Sequence, residues 1–179
     1  MKTCSLIAAA VLAGSALPML ALAQGAEHNG SHDVQVWLDG YQEVPAVSST
    51  GRGVLNAELE RANGRVHYHL RYRDLEGNVL QAHIHFAQRG VNGGIVLYLC
   101  SNLPDAPAGT PACPGTRSGE VSGLLTPEDI TAGAKAQGID LGEAGELGRA
   151  LLARALYVNI HTDKFPAGEV RAQLRVTER

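Results

Sequence analysis

Alternation of apolar and polar residues predicts β-strands along most of the chain. Every second residue is apolar in segments 34–38, 66–72 and 82–86, which is the period of a strand with one buried face. Turn residues separate similar segments at intervals of roughly ten residues, a spacing typical of an all-β domain. The predicted strands cover residues 34–38, 53–60, 66–72, 82–86, 95–100, 119–125, 156–162 and 169–176.

Helical signals lie only between the sixth and seventh of these strands. Thr126 and Pro127, followed by two acidic residues, are typical of a helix start, and residues 142–154 carry apolar side chains at helical spacing. The predicted fold is therefore all-β, a β-sandwich or a small Greek-key barrel, with a short helical insertion before the last two strands.

The first 23 residues have the composition of a cleavable secretory signal peptide. Lys2 precedes an apolar run at 6–22, and residues 21–23 read Ala-Leu-Ala, an A-x-A cleavage site. An uncleaved membrane anchor is the alternative, but Pro18 and the small residues at the end of the run favour cleavage. We therefore expect an exported protein, periplasmic or extracellular, that makes no membrane contact after cleavage.

The remaining chain is expected to form one domain. The polar, glycine-containing segment 24–32 predicts a flexible N-terminal lead, and residues 33–177 predict the β domain. The whole chain has 15 basic and 18 acidic residues, a formal net charge of −3, with no basic cluster, which argues against nucleic acid as a partner. The expected partner is a protein or a small ligand of a kind that the composition does not specify.

The two cysteines of the predicted domain, Cys100 and Cys113, are expected to form a disulfide. An isolated pair in an exported protein is usually oxidised, and the segment between them is rich in proline. A thiol metal site or a redox pair is the alternative, although twelve intervening residues are far from C-x-x-C spacing.

Histidines carry the most specific chemical signal. Of the seven in the chain, five lie in predicted strands, where strand alternation places each on the face opposite to the apolar residues. Imidazoles at i and i+2 of one strand, joined by a third from a neighbouring strand, are a usual way to build a zinc or copper site. The five candidates are His67, His69, His83, His85 and His161.

The short turn near Glu76 predicts that the third and fourth strands form a hairpin. Symmetric pairing about that turn would set His69 opposite His83 and His67 opposite His85, with Cβ atoms about 5 Å apart. The predicted ligands are His83, His85 and His161, with the pair at 67 and 69 as possible additions.

The alternative is that these histidines are ordinary polar residues on a solvated face of the sheet. His67 and His69 share their face with Arg71 and Arg73, whose positive charges disfavour a metal ion. Glu169 also has two interpretations. It either forms a surface ion pair with Arg171 or orients His161 through the second ring nitrogen.

Several segments together resemble the CHRD domain, a family first described in chordin and widespread in secreted bacterial proteins. The first is 41–45 (Tyr-Gln-Glu-Val-Pro). The next are 82–85 (Ala-His-Ile-His) and 92–96 (Asn-Gly-Gly-Ile-Val). The last are 157–162 (Tyr-Val-Asn-Ile-His-Thr) and 166–174 (Pro-Ala-Gly-Glu-Val-Arg-Ala-Gln-Leu).

The order and spacing of these segments match the family over residues 33–176, with Ala167 and Ala172 standing where its pattern has glycine. The resemblance implies an immunoglobulin-like or superoxide-dismutase-like β-sandwich and no defined reaction, and the cysteine pair is similar to that of a bacterial subgroup. The Ala-His-Ile-His segment also resembles the His-Val-His copper ligands of Cu/Zn superoxide dismutase, an analogy between short motifs.

Three functional hypotheses follow. The first is a non-catalytic exported binding or interaction module, because no Ser-His-Asp set, paired carboxylates or phosphate loop is recognisable. The second is a periplasmic copper- or zinc-binding protein that uses the strand histidines. The third, a copper-dependent redox enzyme, requires a bridging histidine and a zinc loop that the sequence does not provide.

Overall fold

The computed structural model describes residues 30–177, which form an all-β fold with a small helical insertion, as the sequence predicts. The predicted signal peptide 1–23 and its cleavage site lie outside the described residues. The strands are β1 (Ser31–Asp39), β2 (Arg52–Glu60), β3 (Val66–Arg73), β4 (Val79–Phe86), β5 (Gly94–Ser101), β6 (Gly119–Leu125), β7 (Leu156–Thr162) and β8 (Val170–Gln173).

All eight strands are hydrogen-bonded into one antiparallel sheet that curls nearly into a barrel. The strand order is β5-β4-β7-β8-β1-β2-β3-β6, so the expected sandwich or barrel takes the form of one continuous sheet. Curling brings the two edge strands, β5 and β6, into contact. Next to this edge, Tyr68 on β3 donates a hydrogen bond to the carbonyl of Leu99 on β5 at 2.6 Å.

The helical insertion precedes β7, as expected. It consists of a 3-10 turn at Pro127–Asp129, a short helix α1 (Ala132–Lys135) and a longer helix α2 (Ala144–Leu152). At its start the side chain of Asp129 accepts a hydrogen bond from the backbone of Thr126 at 2.7 Å, as the sequence signal predicts. Among residues 30–177, no helix has the length and apolar character that crossing a membrane requires.

Several predicted boundaries differ from the structure, and β4, for example, begins at Val79 rather than at residue 82. β1 begins at Ser31, so the last two residues of the expected flexible lead are part of the sheet, where they pair with the far end of β2. β8 ends at Gln173, although an isolated bridge from Val176 to Val34 extends the contact with β1.

The core lies on the inner face of the curled sheet. In β3 the alternation is regular: Val66, Tyr68, Leu70 and Tyr72 are buried, and their neighbours are more exposed. β4 and β7 are different, because most of their residues are buried on both faces and every residue of β7 is buried. A second layer must therefore cover the outer face of these two strands.

The predicted hairpin between β3 and β4 is wrong. β3 pairs with β2 and β6, whereas β4 pairs with β5 and β7. The segment between β3 and β4 crosses from one half of the sheet to the other, so His67 and His69 are not opposite His85 and His83. The turn composition near Glu76 indicates a reversal of the chain, but it does not reveal which strands pair afterwards.

A buried carboxylate holds this crossing segment in place. Glu169, which is fully buried, accepts hydrogen bonds from the backbone of Glu76 at 2.6 Å and of Gly77 at 3.2 Å. Its two oxygens also accept from the hydroxyls of Ser49 at 2.7 Å and Thr162 at 2.8 Å. Three separate parts of the chain therefore meet at the Glu169 side chain.

The structure confirms the disulfide between Cys100 and Cys113, which joins the end of β5 to the proline-rich segment. Asn102 adds to this closure, because its side chain donates to the carbonyl of Cys113 and accepts from the backbone nitrogen of the same residue.

Replacing both cysteines, C100S/C113S, is expected to lower the free energy of unfolding by about 3 kcal/mol, because closing this loop restricts the unfolded chain. Urea unfolding of the variant and of the thiol-reduced wild-type protein should give the same loss. Equal midpoints for oxidised and reduced wild-type protein would contradict the prediction.

Glu169→Gln is expected to lower the free energy of unfolding by roughly 2–4 kcal/mol. Each carboxylate oxygen accepts one backbone N–H, so an amide NH2 in either orientation places a donor against a donor. Urea unfolding measures the loss, and the exposed E58Q is the matched control, expected to change stability by less than about 0.5 kcal/mol. Similar behaviour of the two variants would show that the carboxylate is not needed.

Candidate metal centre

The structure brings His83, His85 and His161 together on the outer face of the sheet. Each offers a ring nitrogen, and the three nitrogens lie within 4.8 Å of one another. The ring centroids are 5.0 Å apart for His83 and His161, 5.4 Å for His83 and His85, and 6.1 Å for His85 and His161.

The pairing of β4 with β7 produces this convergence. His83 is opposite Asn159 and His85 is opposite Tyr157, while His161 lies two residues further along β7 on the same face. Strand alternation puts Ile84 and Val158 on the opposite side, in the core. The three imidazoles therefore lie on one face, as strand alternation predicts, although their actual neighbours differ from those expected.

The histidine face is covered rather than solvated, in contrast to the alternative considered from sequence. His83 is fully buried, and His85 and His161 are 7% and 8% exposed. The turn at 90–94 lies over His85, and the turn at 166–168 lies over His161. Both turns supply backbone carbonyls to the histidines.

Two of the imidazoles have a fixed orientation. The Nδ1 of His85 lies 3.0 Å from the carbonyl oxygen of Gly93, and the Nδ1 of His161 lies 2.9 Å from that of Pro166. Because a carbonyl only accepts, each Nδ1 carries the proton and each Nε2 keeps a lone pair. A backbone carbonyl in this role is the usual partner of a metal-binding histidine.

The remaining nitrogens are short of partners. Both ring nitrogens of His83 and the Nε2 of His85 are buried without a hydrogen bond. A buried polar atom without a partner costs roughly 1–3 kcal/mol, so three such atoms in one cluster call for an explanation.

Burial keeps all three imidazoles uncharged. It lowers the pKa of His83 to about 2 and that of His85 to about 4, and it also lowers the pKa of His161. Repulsion between His83 and its two histidine neighbours acts in the same direction. The neutral imidazole is the form that binds a metal ion.

Aromatic rings surround the cluster. The Tyr98 ring packs edge-on to His83 with centroids 4.4 Å apart, and the Tyr157 ring stacks on His85 at 4.7 Å. The guanidinium of Arg171 lies 3.4 Å from the centre of the Tyr157 ring. These contacts restrict the rotation of His83 and His85.

A buried acid and a buried base lie next to the histidines. Arg171, 2% exposed, donates to Asn92 Oδ1 at 2.9 Å and to the carbonyl of Val91 at 2.8 Å. Burial raises the pKa of Glu43 to about 7, against the opposing effect of the Arg171 charge. Asn159 lies between this acid and His161.

Five residues of the site were not predicted from the sequence: Tyr98, Tyr157, Asn159, Arg171 and Glu43. The sequence contains a signal for the last four of these residues, because each lies within a segment that resembles the CHRD domain. Tyr98 had no such signal, since only its pairing with His83 across β4 and β5 places it there.

The other two candidate ligands are not part of the cluster. His67 and His69 lie on β3 and face carboxylates on the surface, Glu60 at 2.7 Å and Glu120 at 3.5 Å. The prediction that His67 and His69 are additional ligands is therefore wrong. The reason is the wrong hairpin, which had made β3 and β4 neighbours.

Glu169 has neither of the two roles expected for it. Its oxygens accept hydrogen bonds from Ser49, Thr162 and two backbone nitrogens, while the nitrogens of His161 face Pro166 and Asn159. It fixes the crossing segment instead of orienting His161 or pairing with Arg171.

A surface cavity of about 900 Å³ lies elsewhere, over β1, β2, β3 and β6. Trp37, Arg71 and Arg73 contribute to its lining, but Arg71 is paired with Glu120 and Arg73 with Asp74. It contains none of the clustered histidines, so size alone does not indicate the site.

The histidine cluster fits a zinc or copper ion. Imidazole suits both metals, and nitrogens within 4.8 Å of one another can converge on one ion with small side-chain rotations. An ion there would also satisfy the Nε2 of His85 and one of the two partnerless ring nitrogens of His83.

Comparison with known proteins identifies the family. A family model described as the CHRD domain matches residues 34–174, which is well over half of the chain. The chain therefore belongs to the CHRD domain family. It matches none of the curated proteins and none of the solved structures. Family membership supports a binding or interaction module in general.

Without metal, the protein is expected to lose stability as the pH falls from 6.5 to 4.5. The unfolded chain protonates its histidines near pH 6.5, whereas burial keeps His83 and His85 largely uncharged in the folded chain over this range and also lowers the pKa of His161, so unfolding takes up protons. Glu43, whose pKa is raised, acts in the opposite direction and offsets about one of these protons. The net loss should be on the order of 1–2 kcal/mol per pH unit.

Urea unfolding in the presence of a chelator, at intervals between pH 7.5 and 4.5, measures this dependence. His161→Asn should reduce the slope, and Asn56→Ala, which removes no titratable group and lies outside the cluster, should leave it unchanged. Constant or rising stability toward pH 4.5 would show that the imidazoles are not held neutral.

Proposed function

We propose that this CHRD-domain chain is an exported, non-catalytic binding protein that holds one copper or zinc ion with His83, His85 and His161. The observation that carries the proposal is the convergence of three buried, uncharged imidazoles, two of which donate Nδ1–H to a backbone carbonyl and direct Nε2 inward.

The surroundings favour these histidines as ligands over a structural role. A histidine that serves packing usually has its polar atoms satisfied, whereas His83 is fully buried with neither nitrogen hydrogen-bonded. Hydrogen bonds from His85 and His161 to carbonyls raise the basicity of their opposite nitrogens. Neutral imidazoles also avoid the repulsion that three protonated rings would have.

Burial supports binding over catalysis. A catalytic zinc or copper site keeps a position open to water or substrate, whereas each of these histidines is at most 8% exposed. Bound metal would supply a positive charge and a link between β4 and β7. The chain itself supplies the donor atoms, their orientation and the exclusion of water.

Export is part of the proposal and rests on the sequence. The predicted signal peptide points to the periplasm or the exterior, and a disulfide persists most readily in such an oxidising compartment. Metal bound there would be taken from outside the cytoplasm.

Purified protein with its disulfide intact is expected to bind about one zinc or copper ion per chain at pH 7.5. H85A and H161A should each weaken binding by at least about 100-fold, since each removes one of three donors. Elemental analysis after loading and dialysis measures the stoichiometry, and competition with a chromophoric chelator measures the affinity.

The double variant H67A/H69A is the matched control, because it removes two strand histidines outside the cluster and should bind like the wild type. Bound metal should also raise the Tm of the wild type and of this control. The proposal fails if the loaded wild type retains less than about 0.1 metal per chain, or if the control loses as much affinity as H161A.

A further inference from the structure

The side chain of Asn159 makes an unusual contact with the histidine cluster. Its Oδ1 lies 3.0 Å from the Nε2 of His161. The residue is 2% exposed and lies directly opposite His83 on the paired strand. The amide is also close enough to His85 to oppose the lowering of that residue's pKa. It therefore lies among all three rings.

The contact between Asn159 and His161 joins two acceptors. The Nδ1 of His161 faces the Pro166 carbonyl and carries the proton, so its Nε2 has a lone pair. An amide oxygen has only lone pairs as well. Two buried lone pairs at this distance repel each other unless a proton or a cation lies between them.

We propose that Asn159 Oδ1 is a fourth ligand of the metal ion held by the three histidines, and that it makes the site selective for a divalent ion over Cu(I). This inference rests on the proposed function. A hard, neutral oxygen added to three imidazoles suits Zn(II) or Cu(II), whereas Cu(I) prefers softer donors and gains little from it.

The other end of the amide lies on the side of the Glu43 carboxyl. The Nδ2 of Asn159 and the Oε1 of Glu43 both lie within 3 Å of the point where a Cβ at position 168 would stand. Gly168, with a φ of +130°, leaves the space that both groups occupy. With Nδ2 directed to the Glu43 side, Oδ1 is directed to the histidines.

The competing arrangement has the amide rotated by half a turn. Nδ2 would then donate to the Nε2 of His161, and Oδ1 would face the Glu43 carboxyl. In that case Asn159 would be a hydrogen-bond partner of His161 and would contribute no ligand atom. The two arrangements predict different behaviour of an aspartate at this position, which keeps the oxygen but has no N–H.

The experiment compares wild type, N159A, N159D and the control N56A, which removes an amide from β2 outside the cluster. Zn(II) and Cu(I) affinities are measured by competition with chelators specific for each ion, and Cu(II)-loaded samples are examined by EPR. In the wild type, the 13C signal of the Asn159 side-chain carbonyl is followed by NMR during zinc addition, a measurement that needs no variant to fold.

If Asn159 is a ligand, N159A should bind Zn(II) about 10- to 100-fold more weakly and Cu(I) within about threefold of wild type. N159D should bind Zn(II) at least as tightly as wild type, N56A should be unchanged, and the Cu(II) EPR parameters should differ between wild type and N159A. The Asn159 carbonyl signal should shift on zinc binding.

Equal weakening of N159A and N159D would overturn the inference in favour of the hydrogen-bonded amide. Unchanged zinc binding in N159A, or an Asn159 carbonyl signal that does not respond to zinc, would also overturn it and leave the three-histidine site intact. If wild-type protein binds neither ion, the proposed function itself fails, and this inference fails with it.

Discussion

The arrangement of the site depends on one constraint: β4 and β7 are buried on both faces. Their inner face joins the apolar core, so the residues of the outer face, largely polar, must be satisfied by protein groups or by a bound species. Backbone carbonyls of two covering turns satisfy one nitrogen each of His85 and His161. The nitrogens left without a partner belong to His83 and His85, and a metal ion would bind one from each of these rings together with one from His161.

Charges under the same cover are balanced locally. Arg171 is held by the turn at 91–92, lies against the Tyr157 ring and faces the buried Glu43. Removing either charge would leave its partner buried and uncompensated, which is costly. Glu169, two residues before Arg171, accepts hydrogen bonds from the backbone of the segment that crosses from β3 to β4 and so helps to hold that segment in place. The histidine cluster therefore depends on contacts made well outside it.

Local sequence patterns were sufficient to predict the strands and the face of the sheet on which each histidine lies. Alternation in β3, β4 and β7 gave the correct face for each imidazole, because the pleat is a property of the strand itself. The pairing of His69 with His83 was wrong for the opposite reason. A short turn composition predicts a hairpin, but hydrogen bonding across the whole sheet, aided by the Glu169 carboxylate, separates β3 from β4.

The sequence by itself determined an all-β domain, the disulfide and the three histidines that share a face, since these follow from residue period, cysteine count and family motifs. Only the tertiary structure decided that this face is buried, that Asn159 and Glu43 lie beside His161, and that His67 and His69 remain at the surface with carboxylates. Burial and convergence depend on contacts between residues far apart in the chain, which no local pattern encodes.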